Sequence, residues 1–69
     1  MCTQIIISEN VYGPNDESIE WWVELSGGAH SDEFDVIEFE ELGDAQFEAE
    51  AWQDHFEEEY GYRPQIVNN

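Results

Sequence analysis

Residues 18–25 read SIEWWVEL. In an extended chain Ile19, Trp21, Val23 and Leu25 fall on one side, and Glu20, Trp22 and Glu24 on the other. Period-two alternation of this kind predicts a half-buried strand, and Gly27-Gly28 breaks it. Upstream, Thr3 to Glu9 is a β-rich run centred on Ile5-Ile6-Ile7, ended by the turn formers Gly13-Pro14-Asn15-Asp16. Downstream, between Asp32 and Leu42, Ile37 and Phe39 alternate with Glu38 and Glu40, and Val36 is β-branched. That predicts a third strand, with a helix through Phe34, Ile37 and Glu41 as the alternative.

Asp44 to Tyr60 reads as a helix. Ala45, Ala49, Trp52, Phe56 and Tyr60 recur at spacings of four and three, which makes one apolar stripe. Asp44 suits the N-cap, and Gly61 stands where a left-handed residue ends a helix. Pro64 stops continuation, and Gln65-Ile66-Val67 is a candidate short edge strand. The expected fold class is α+β: a small two-layer domain with a three-stranded antiparallel sheet in the order β-β-β-α. A fourth edge strand is optional, and one C-terminal helix packs on the sheet. Residues 1–69 form one domain, with no repeat and no linker.

The charge is extreme. Eighteen Asp and Glu face a single basic side chain, Arg63, and the net charge is −17. Duplex DNA carries one charge per about 1.7 Å of axis, so this charge matches roughly 29 Å of duplex. A compact domain of this length has a radius of gyration of about 11 Å and a diameter near 28 Å. Self-repulsion opposes folding, and without Lys there are no compensating i,i+4 pairs. Glu57, Glu58 and Glu59 also face the negative pole of the helix, at about 0.3–1 kcal/mol each. A domain this small has about 3–5 kcal/mol of net stability, so the acids point to a use outside the fold.

Composition separates the chain from disordered acidic tails, because aromatics make up 14% and apolar residues 41%. One cysteine, Cys2, leaves no internal disulfide and fits a reducing compartment. The three isoleucines are too few for a signal peptide or a membrane span, so a cytoplasmic protein is expected. Net charge of this sign excludes direct binding to nucleic acid or anionic membrane and favours a partner with a basic surface.

The acids form rows. Glu50, Asp54 and Glu58 lie at i, i+4 and i+8 opposite the apolar stripe, rising in steps of about 6 Å, and Glu57 flanks them. On the third strand Glu38 and Glu40 share a face about 6.7 Å apart, with Asp35 and Glu33 in the neighbouring register and Glu41 at the end. Rows of fixed carboxylates can occupy Lys and Arg sites that ordinarily grip phosphates; the plain alternative is a solvated surface. Trp22 is a candidate interface anchor or lies under a loop. Phe47 is the same, or packs against the chain entering the helix.

Catalysis and metal binding lack their usual signatures. Cys2, His30 and His55 have no short metal-site spacing, no EF-hand loop is present, and no nucleophile stands with a base. Neither a cofactor nor an enzymatic activity is expected. His55 is expected at the edge of the helix–sheet contact, His30 in a polar loop, and Arg63 as a clamp across carboxylates.

Small size, ordered elements and extreme acidity, through Glu38/Glu40/Glu41 and Glu50/Asp54/Glu58, together resemble the DNA-mimic inhibitors of bacteriophages and mobile elements. Anti-CRISPR and anti-restriction proteins are among these. The resemblance is one of character over the whole chain and carries no subfamily motif. It implies an inhibitor that blocks a Lys/Arg-lined nucleic-acid channel without catalysis. The expected partner is a basic nucleic-acid-binding protein or complex, a CRISPR effector or a restriction enzyme. A diameter under one turn of duplex favours the former. Candidate contact residues are Asp35, Glu38, Glu40, Glu41, Glu50, Asp54, Glu57, Glu58 and Trp22, in a monomer or a homodimer. The alternatives are a salt-adapted protein, against which Glu outnumbering Asp 13 to 5 counts mildly, and an acidic interaction module.

Overall fold

The computed structural model describes residues 3–15 and 18–69. The chain runs β1 (Gln4–Tyr12), β2 (Ser18–Ser26), β3 (Ile37–Phe39), α1 (Leu42–Tyr60), β4 (Ile66–Asn68). It is the expected α+β arrangement, one helix on a four-stranded sheet of order β3-β2-β1-β4. The fourth strand forms and lies parallel to β1, with Ile5 beside Ile66, which makes the sheet mixed. Backbone bonds from Ile5 N–H to Gln65 (2.9 Å) and from Asn69 N–H to Ile7 (2.8 Å) hold it there.

Register decides which side chains meet. Ile5 lies opposite Leu25, Ile7 opposite Val23, and Val23 opposite Ile37. All of these therefore face the helix, whose Ala45, Ala49 and Trp52 join Ile5, Ile7 and Val23 in the buried core. The two alanines let the helix approach the sheet closely, and Trp52 and Phe56 fill the space that remains. Gly61 ends the helix with φ 76°, its N–H bonded to the Glu57 carbonyl at 3.1 Å, as a left-handed cap requires.

The helix starts earlier than its sequence suggests. Glu41, in extended backbone, is the N-cap, and its side chain makes no capping bond. Asp44 sits inside the first turn, where its charge still faces the positive helix pole.

The third strand is short. Residues 32–36 leave the extended path, and Phe34 turns under to stack on Trp52 with ring centroids 4.8 Å apart. Alternation would have put Phe34 beside Glu38 in water; burial of its ring against Trp52 and Phe56 outweighs the loss of two ladder residues. His30 and His55 follow the same logic. His30 stacks on Tyr60 at 3.7 Å, and His55 packs edge-on to Phe34 at 5.0 Å and to Phe56 at 6.0 Å.

The hairpin is longer than the layer that covers it. Its ladder runs for nine pairs, from Gln4–Ser26 to Tyr12–Ser18, at about 3.4 Å per residue. The partner strands reach only Ile5–Ile7 on one edge and Trp21–Val23 on the other. Beyond them the ribbon stands alone, and the pair Val11–Ile19 is 43% and 44% exposed. The molecule is therefore elongated, 43 × 19 × 17 Å with a radius of gyration of 12.8 Å, instead of a 28 Å ball. Asp16, in the expected turn, lies outside the described residues.

Because Phe34 roofs one side of Trp52, Phe34→Ala is expected to cost about 2 kcal/mol, below the usual range for a fully buried ring. The midpoint of urea unfolding followed by tryptophan fluorescence measures it.

Candidate interaction surface

Among the described acids all but Glu20 and Glu48 are exposed. Helix packing on the Val23 side of the sheet leaves the Trp22 side open. Glu38 pairs with Trp22 in the ladder, so it lies on that open face together with Glu20 and Glu24. Glu50, Asp54, Glu57 and Glu58 are exposed on the outer side of α1. The two expected rows thus face opposite ways. Glu40 and Glu41 are exposed in the bend between β3 and the helix, and Asp35 is exposed in the loop before β3, no longer in strand register with Glu38.

The helix row is not bare. Arg63 Nη1 donates to Asp54 at 2.7 Å and lies 3.2 Å from Glu57, clamping two of its four members. Those bonds, the one to Asp54 first, raise the guanidinium pKa further. The only cation is thereby spent inside the acidic surface. It also ties the segment after the helix to it, alongside Gln53 Nε2 bonded to the Pro64 carbonyl at 2.8 Å. Phe47 projects from the same outer side and is 73% exposed.

On the open face, Glu38 and Glu20 share a hydrogen bond between their carboxyl groups. That bond, then partial desolvation, then repulsion raise the Glu38 pKa above its ordinary 4.5. Tyr12 sits beside them. Desolvation, then the charges of Glu20 and Glu38, raise its phenol. Trp22 is half-buried here, between Ser8 and Glu38 in the ladder, with its indole Nε1 enclosed. A second acidic contact holds the loop. The Tyr60 hydroxyl donates to Glu33, whose other oxygen lies 3.9 Å from His55, and the Tyr60 phenol is pushed up to about 12 by that bond first.

A cavity of about 510 Å³ opens between the start of β1, Gly27-Gly28 and Arg63. Among the described residues its walls offer the hydroxyls of Thr3 and Ser26, the amides of Gln4 and Gln65, and the Arg63 guanidinium already engaged with Asp54, with no carboxylate or imidazole. Among the described residues no three His, Cys, Asp or Glu side chains converge as a metal-binding group. Cys2 lies outside them. No described helix is long and apolar enough to cross a membrane. No family model matches the chain, and no curated protein and no solved structure is found similar to it.

Two measurements check the electrostatics. A carboxyl with a raised folded-state pKa binds more protons folded than unfolded, so its contribution is fullest at low pH and fades as pH climbs through the raised value. Thermal unfolding is therefore expected at a higher temperature near pH 5 (about) than near pH 8 (about). Glu38→Gln should raise the value at the higher pH and flatten the difference. Separately, ultraviolet titration is expected to find the Tyr60 phenol ionising near 12. Glu33→Gln should bring it down.

Proposed function

We propose that this chain is a non-enzymatic inhibitor that stands in for nucleic acid, occupying the Lys/Arg-lined channel of a DNA- or RNA-binding protein. The observation that carries this reading is the shape of the charge. Seventeen net charges along a 43 Å axis amount to one per about 2.5 Å, between the 1.7 Å of duplex DNA and the 3.4 Å of one strand. Glu20, Glu24 and Glu38 stand on one outer surface, and Glu50, Asp54, Glu57 and Glu58 on the other, of a rod 17–19 Å thick. That is of the order of a duplex, whose grooves are about 8.5 and 7.5 Å deep. A cleft that grips two phosphate strands meets negative charge on both walls.

The elongation changes one inference. At 43 Å the rod exceeds the roughly 34–36 Å of one duplex turn, so length no longer favours a short local site. A CRISPR effector and a restriction enzyme are equally served, and an anti-CRISPR or anti-restriction role is the class proposed. Salt adaptation makes a different prediction, because a salt-dependent fold opens in dilute buffer and a mimic stays closed.

The test is competition. Captured from a bacterial lysate, the target should release the chain when duplex DNA is added, and binding should weaken steeply between 50 and 200 mM salt, about. Replacing Glu50→Gln, Asp54→Asn and Glu58→Gln together is expected to reduce affinity at least tenfold, about 1.4 kcal/mol. Circular dichroism should remain native. Undiminished binding by that variant, or indifference to DNA, would exclude the channel-filling role.

A further inference from the structure

The hairpin presents a surface of particular chemistry, running from the β3-flanked Trp22 to Tyr12 in the part beyond it. Its open face carries Tyr12 and Trp22, and the carboxylates of Glu20 and Glu38 stand beside both rings. The helix lies on the other side of the sheet, so no second layer packs on this face among the described residues, although Trp22 is half-buried with its Nε1 enclosed. Beyond Trp21–Val23 the ribbon has no flanking strand either, and an isolated two-stranded ribbon is marginal in water. Tyr12 is 42% exposed on this face; Val11 and Ile19, slightly more exposed, lie on the other side of the ribbon.

We propose that this face is the specificity-determining contact and that it takes arginine side chains of a protein partner. The inference rests on the proposed reading that the partner is basic; it adds which side of the rod is read, and by which cation. Two features select arginine over lysine. A guanidinium is planar and weakly hydrated, so it stacks on an indole or phenol face that an ammonium meets only as a point charge. Its fork also donates two parallel hydrogen bonds, which suits two carboxyl groups held side by side. Glu20 and Glu38 line one small pocket in the free chain; a guanidinium between them bridges both with two charge-assisted hydrogen bonds. The helix side offers carboxylates without this aromatic floor, apart from the isolated Phe47, and Arg63 already occupies two of them. It contributes attraction at a distance with little discrimination.

Deca-arginine and deca-lysine peptides are the probes, titrated into the isotopically labelled chain at low salt and followed by amide and indole resonances. The expected result is deca-arginine binding about fivefold tighter than deca-lysine, with the largest shifts at Trp22, Tyr12, Glu20 and Glu38. Trp22→Leu combined with Tyr12→Ser should remove that preference while leaving deca-lysine affinity unchanged. The combination Glu20→Gln and Glu38→Gln, which keeps both rings and relieves a repulsive pair, controls for folding and should also lose the preference. Equal affinity for the two peptides, or shifts centred on Glu50, Asp54 and Glu58, overturns the proposal and leaves the broader polyanion reading standing. Failure of both peptides to bind at low salt overturns both readings.

Discussion

One cation against eighteen acids is the constraint to which every other feature answers. No network of ion pairs is available, so cohesion must come from apolar contact and from backbone hydrogen bonds. The core is correspondingly economical. Two alanines of α1 bring the helix close to Ile5, Ile7 and Val23, and a run of rings from Trp52 through Phe34 and Phe56 to Tyr60 and His30 extends it under the loop. Rings supply much buried area per ordered residue. A chain that must put its carboxylates outside has reason to concentrate its apolar mass in a few large groups.

The fold was largely legible because most of its elements rest on periodicity. The alternation at Ser18–Leu25 and the four-three spacing at Ala45–Phe56 each place an apolar side, and the structure puts those sides together. The misreadings fall where a tertiary contact overrides a local pattern. Phe34 belongs to the alternation of β3 by position but is captured by Trp52, which shortens the strand and turns Asp35 into a loop residue. Asp44 has the chemistry of a cap, yet the helix takes another turn's start at Glu41. A 3.6-residue pattern cannot register that, since Leu42 fits the buried side as well. The long uncovered hairpin was not visible either, because strand length can be read from one segment but coverage depends on how far the others reach.

The candidate surface was legible in kind and not in arrangement. Exposure of Glu50, Asp54, Glu57 and Glu58 follows from their position opposite the apolar stripe. Their relation to Glu38 depends on which side of the sheet the helix covers, and register alone assigns that. It separates the rows by the thickness of the molecule. Tyr12 was missed because it lies past the end anticipated for β1. Its place beside Trp22, Glu20 and Glu38 is a product of the nine-pair ladder.

The parallel pairing of β4 with β1 has a consequence for how the molecule comes into being. Ile5 and Ile66 are sixty-one positions apart, yet they are immediate neighbours in the sheet. Closure over such a separation is entropically slow, and topologies that depend on it fold late. On a ribosome the N-terminal strand therefore waits, with one edge unfilled, until residues 66–68 have emerged. During that interval the abundance of negative charge keeps nascent copies from zipping edge to edge, so the electrostatics that burden the finished fold protect its making.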